Sequence, residues 1–228
     1  MKTLAIIGAG PLTGLAVAKM FGARGYRVAL VARRRESLDR LVERLAQERI
    51  EARGFVGDVT KEASLVEAFS QIREAFGTVH AMMYSPINMV YIPPTQVTAE
   101  NARAAFEFLA VGAVESARQV FPEMIKRGEG TIIFANGRSS VLPMQMIGSL
   151  SLGTGALRGY AYSLHDELKP KGVYVGMMTI SILIDEEHAK NIAAICWDMH
   201  EKKDRIEDLY GAHIEDMRRI VTIMKTAR

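Results

Sequence analysis

The sequence predicts an α/β fold: a doubly wound parallel sheet of about six strands, with helices on both faces and a helical C-terminal tail. Two observations carry this. Short apolar runs alternate along the chain with longer amphipathic stretches, the pattern of repeated strand-helix-strand units. The runs also show little polar alternation, as expected of strands buried on both faces.

The expected strands are 3–7, 27–32, 52–56, 79–83, 131–135 and 173–180. Helical stretches lie between them, near 13–24, 36–49, 62–76, 98–127 and 144–169. After Ile184 the apolar residues recur at helical spacing, through Ile192, Ile195 and Met199, then Ile206 and Leu209, then Ile214, Met217, Val221 and Met224. Two or three tail helices and no seventh strand are expected there. No linker or composition break divides the chain, so 1–228 reads as one domain, with a core over 1–185 and a tail over 186–228 placed to cover a substrate cleft.

Composition narrows the function. Of 228 residues, 49% are hydrophobic and 24% charged, enough for a sizeable core and too apolar for a disordered chain. The balance of 29 basic against 26 acidic residues comes without a long Lys/Arg block, so no nucleic-acid partner is expected. Cys196 is the only cysteine, which leaves no internal disulfide or thiolate cluster and fits a reducing cytoplasm. Residues 139–157 carry no charge, but proline, glycines and serines interrupt them, so no membrane span is expected. Met1-Lys2 and the apolar residues after them mimic a signal peptide. Gly8, Gly10 and Gly14 instead punctuate that stretch as a strand, turn and helix would.

The first chemical feature is that turn, Gly8-Ala9-Gly10-Pro11-Leu12-Thr13-Gly14. Glycines there let a backbone approach a pyrophosphate, and free amides at a helix N-terminus complement its charge; a tight strand-to-helix connection explains the same residues without a ligand. Arg33 and Arg34 follow the second strand, where an acidic residue would hold an unphosphorylated ribose. Guanidinium there suits a 2′-phosphate, and so favours NADP(H) over NAD(H); a solvated basic start to the second helix is the alternative. Asp58-Val59 follows the third strand, where the carboxylate faces an adenine amino group or caps the next helix.

These segments, with Gly130-Thr131-Ile132-Ile133, Gly155-Ala156-Leu157-Arg158-Gly159-Tyr160 and Gly172-Val173-Tyr174-Val175, resemble the short-chain dehydrogenase/reductase family over about residues 2–185. The resemblance implies a Rossmann-type fold, a nicotinamide cofactor held by Gly8 to Gly14, Arg33, Arg34, Asp58, Val59, Ser85 and Pro86, and a homodimer formed through the long fourth and fifth helices. It also places the family's catalytic positions. Leu109 stands for the active-site Asn, Gly137 for the Ser, and Leu150 and Thr154 for the Tyr and Lys; Leu12 replaces the second glycine of the turn.

A ketone that accepts hydride becomes an alkoxide and needs a proton, which the family's tyrosine supplies. Here the candidates that remain are Tyr84 as a hydroxyl donor and Arg138 as the nearest cation. The leading expectation is therefore an atypical NADP(H)-dependent reductase acting on an apolar carbonyl or imine small molecule. A catalytically silent cofactor-binding or assembly protein, and a cyclase or isomerase using the same cleft, stand beside it. No metal site is expected: Glu186-Glu187-His188 opens a helix, where acidic residues belong in any case.

Overall fold

Seven short segments pair into one sheet in the computed structural model, which describes residues 1–226. The last two residues of the expected tail lie outside the described ones. The order along the chain is β1 (Thr3–Ile7), α1 (Thr13–Gly22), β2 (Arg27–Ala32), α2 (Arg35–Ala46), β3 (Ala52–Val56), α3 (Glu62–Phe76), β4 (Ala81–Tyr84), α4 (Ala99–Phe106), α5 (Gly112–Arg118), α6 (Phe121–Arg127), β5 (Gly130–Gly137), α7 (Gly148–Leu168), β6 (Val173–Ser181), α8 (Glu186–Lys202), β7 (Glu207–Gly211) and α9 (Ile214–Thr226). All pairings are parallel, in the order β3-β2-β1-β4-β5-β6-β7.

Each helix covers the sheet with a stripe set by its sequence. In α2 the buried residues are Leu38, Leu41 and Leu45, and in α3 they are Leu65, Ala68, Phe69, Ile72 and Phe76, both at helical spacing. Helices α1, α2 and α8 pack on one face, and α3, α5, α6 and α7 on the other. No helix among the described residues is long and apolar enough to cross a membrane.

Two sequence expectations need correction. The stretch 98–127 is not one helix: a π-helical turn over Glu107–Val111 follows α4, and α5 ends before α6, which carries Pro122 in its first turn. The tail also contains a strand, β7, paired to β6 from Met177↔Glu207 to Ser181↔Gly211. Glu207 hid it, because a carboxylate at the head of a strand does not look like a core residue. Its side chain is 1% exposed and bonded on every side. Arg158 of α7 donates to both its oxygens, at 2.5 and 2.7 Å, Tyr162 donates at 2.5 Å and Thr179 of β6 at 2.7 Å. A buried carboxylate is tolerated when paired and fully hydrogen-bonded in this way, and the pairing binds the edge strand to the helix behind it.

A second buried polar group joins the other end of the sheet. His200 of α8 lies 2.9 Å from the Tyr26 hydroxyl and 2.9 Å from that of Thr131, against Phe21 and Trp197. Burial, with the cations of Lys203 and Lys2, pulls its pKa from 6.5 down to about 4. Between these values the unfolded chain takes up a proton that the folded imidazole refuses, so the His200 contribution to stability is present above pH 6.5 and is lost as the pH falls toward 4. Denaturant unfolding followed across this range should show a shallower pH slope for His200→Asn than for the parent chain. Equal slopes would contradict the assignment.

Candidate functional site

In a parallel sheet every strand-to-helix turn emerges at the carboxyl edge, and a crevice opens where the strand order reverses. Here that point lies between β1 and β4, whose following turns cross closely. Gly8 adopts a φ of +77°, and a Cβ added there would lie 2.5 Å from the Pro86 nitrogen. The Ser85 amide donates to the Ile7 carbonyl at 2.8 Å, and the Gly8 and Ala9 amides both donate to Val31. Gly10 and Leu12 are partly exposed and Pro11 is exposed, while Thr13 and Gly14 are buried. Helix α1 has no side-chain cap at its N-terminus, which leaves its first amides to a ligand or water.

The orphaned polar atoms are concentrated on this rim. Among the described residues, five side-chain atoms that are themselves wholly shut off from solvent have no hydrogen-bond partner: Thr13 Oγ1, Arg27 Nε, Arg138 Nε, Ser181 Oγ and His188 Nδ1. Four of the five, all but Arg27, lie at or beyond the carboxyl ends of β1, β5 and β6. His188 Nδ1 does lie 3.0 Å from Asp185, but the contact lacks hydrogen-bond alignment. Buried polar groups are nearly always satisfied, so a cluster of exceptions on one edge marks the place where a polar ligand belongs.

The cofactor residues expected from the sequence converge here. Arg33 and Arg34 are exposed at the end of β2, without a side-chain hydrogen bond to any described residue, whereas Arg35 donates to Gly54 at 2.8 Å. Asp58 stands at the end of β3, with one oxygen accepting from the Thr60 amide and hydroxyl. Burial works against its charge, but the Thr60 bonds and then the cations of Arg33 and Lys61 hold the carboxyl below its ordinary range. Val59 packs into the core beneath it. The second oxygen of Asp58, the exposed guanidinium groups, the uncapped helix and the orphaned Thr13 hydroxyl fit a dinucleotide.

The expected catalytic residues fare unequally. Arg138 follows β5 with its Nε unpaired, as a cation facing a ligand would be. Tyr84 is fully buried, and its hydroxyl donates to the Phe108 carbonyl of the π-helical turn at 2.5 Å. Burial, with the Glu107 charge, pushes its phenol well above the ordinary value. Tyr84 is therefore placed as a strut for that turn rather than as a proton donor. Leu109 and Leu150 are buried apolar residues. Thr154 is held between the Ser139 hydroxyl at 2.9 Å and Asn136, whose amide donates to the Thr154 carbonyl at 3.0 Å. Sequence reasoning missed Ser181 and His188 as rim groups; nothing local marks them, because their lack of partners exists only in the folded arrangement.

A family model described as short chain dehydrogenase matches residues 2–194. Among curated proteins, the chain is 22% identical over 196 residues to Dehydrogenase/reductase SDR family member 4 of Sus scrofa, covering 86% of this chain and 68% of that protein. Among solved structures, a short-chain dehydrogenase from Rhodopseudomonas palustris superposes with a TM-score of 0.84 at 22% identity, covering 93% of this chain and 99% of that one. A metagenomic short-chain oxidoreductase in complex with NADP gives 0.82 at 19%, over 92% and 96%.

Proposed function

The chain belongs to the short-chain dehydrogenase family, and we propose that it is an NADP(H)-dependent oxidoreductase acting on a small apolar carbonyl or imine compound. The observation that carries this is the cluster of four orphaned polar atoms on the carboxyl rim, beside unpaired arginines at the end of β2. The NADP complex of a structural relative supports the same cofactor. Bound there, the cofactor supplies hydride. Gly8 to Gly14 and the α1 amides hold its pyrophosphate, Arg33 and Arg34 its 2′-phosphate, Asp58 and Val59 its adenine, and Ser85 and Pro86 bound the crevice beneath it.

The site is an atypical one on this reading. Leu109, Gly137, Leu150 and Thr154 occupy the family's Asn, Ser, Tyr and Lys positions, and none of them titrates. Arg138 stabilises negative charge on an acceptor oxygen, which then takes its proton from water, whereas an iminium acceptor, already cationic, needs no proton at all. The tail supports the cleft: Ile214 and Met217 of α9 pack with Leu209 of β7 against Val141 and Leu142, which follow Arg138. A cytoplasmic setting is consistent with Cys196, which is buried and free.

NADP should bind more tightly than NAD by about 1.5 to 3 kcal/mol, and Arg33→Ala should erase most of that difference. Dinucleotide titrations check the preference. Single-turnover oxidation of NADPH by ketone and imine panels checks the chemistry; Arg138→Ala should slow ketone reduction the more. Equal affinity for both dinucleotides refutes the phosphate contact, and binding without turnover moves the weight to a silent scaffold.

We also propose a homodimer through α4 and α7. Phe106 and Leu152 are 48% and 53% exposed on these helices, and Gly155 and Gly159 leave open space beside Leu152 for a second helix. Light scattering should report a dimer at micromolar concentration and a monomer for Leu152→Glu. A parent chain that is already monomeric would contradict the pairing.

A further inference from the structure

The replacement of the family's proton-donating position by Leu150 creates a wall. Leu150 borders a half-open cavity of about 230 Å³ between the segment after β4, helix α4 with its π-helical turn, and the start of α7. The lining includes Val90, Ile92, Ala105 and Phe108, together with the polar Asn88, Asn101 and Ser149, and no charged side chain. Asn88 is exposed and Asn101 already accepts from the Thr98 amide at 3.1 Å, which leaves Ser149 as the enclosed polar group. Ser149 is 2% exposed and lines the cavity, and its hydroxyl has no hydrogen-bond partner among the described residues. Serines at helix starts ordinarily bond to nearby backbone, as Ser151 does here to the Ile147 carbonyl at 2.9 Å.

The cavity is built into the fold. Its roof is fastened to α7 by the Gly148 amide, which donates to the Ile92 carbonyl at 2.7 Å. The approach is so close that a Cβ on Gly148 would lie 2.8 Å from the Pro94 Cα. A tighter space is therefore not available by a small shift of the roof, and the volume persists because Ala104 and Ala105 leave it unfilled.

We propose that this cavity holds a neutral, ring-sized part of the ligand, a substituted benzene or a group of similar size, whose single hydroxyl or carbonyl bonds to Ser149. The chemistry of the walls selects it. A charge brought into this lining would lose its hydration with no counter-ion to meet it, so a carboxylate or ammonium is rejected. An apolar ring gains by burial, and cavities of about 150 Å³ already take benzene, so the larger volume here suits a substituted ring. One hydroxyl or carbonyl gives the Ser149 hydroxyl a partner that no described residue supplies. This deepens the proposed function by naming the substrate class, and it rests on that reading for the claim that the ligand is a substrate.

The test uses the full chain and three probes that differ in one group: p-cresol, toluene and p-toluate, titrated calorimetrically and located by crystal soaking. p-Cresol should bind best, toluene more weakly and p-toluate not at all. Ser149→Ala should weaken p-cresol roughly three- to tenfold, toward toluene, and leave toluene unchanged. Ala105→Leu should fill the space and abolish both. The proposal is overturned if p-toluate binds as well as p-cresol, if p-cresol is indifferent to Ser149→Ala, or if it lodges elsewhere or nowhere. NADPH titrated into the same parent protein separates the two claims. Without NADPH binding the redox reading fails while a positive p-cresol result still assigns the cavity, and NADPH binding without p-cresol binding overturns the cavity alone.

Discussion

The close passage of Gly8 beneath Pro86 is the constraint on which the rest of the arrangement depends. A parallel sheet wound outward in both directions from β1 and β4 brings these two turns together, and only a residue without a Cβ, at positive φ, lets them cross. Their meeting fixes the floor of the crevice. It also aims the uncapped end of α1 along the carboxyl edge, where the orphaned atoms of Thr13, Arg138, Ser181 and His188 lie. The polar groups left unmet on this edge contrast with buried groups that are fully met, such as the carboxylate of Glu207.

That carboxylate explains the other half of the molecule. Helix α7 carries Leu150 and Thr154 at its start and Arg158 one turn later, and the pairing of Arg158 with Glu207 ties this helix to the edge strand β7. Strand β7 in turn supports α9 against the residues following Arg138. Helix α7 thus serves to hold the edge of the sheet. The Tyr84 hydroxyl does comparable work at the π-helical turn, where it donates to the Phe108 carbonyl.

Much of this was legible in the sequence where one property decided the outcome. Strands β1, β2 and β3 were expected at their observed bounds because apolar runs flanked by polar or glycine residues leave few alternatives. The glycine turn and the arginines after β2 were legible for a similar reason: backbone access and fixed charge belong to the residues themselves. Strand β7 was not, since a paired buried Glu207 cannot be told from a solvated one without its partner 49 residues away. Within 98–127 the π-helical turn escaped because it is decided by where a carbonyl finds its donor, while the break itself falls at 119–120, just ahead of Pro122. Tyr84 was misjudged on the same account, as its hydroxyl looked available until the fold supplied Phe108.

The central claim is that the carboxyl rim is a dinucleotide site in which Leu12 is accommodated. A crystal structure of the chain with NADP tests it most directly. The account predicts the pyrophosphate over Gly8 to Gly14 with an oxygen bonded to the Thr13 hydroxyl or the α1 amides, the 2′-phosphate at Arg33, and the nicotinamide toward Arg138. A rim left empty at saturating NADP, or a dinucleotide displaced from the turn by the Leu12 side chain, would contradict it.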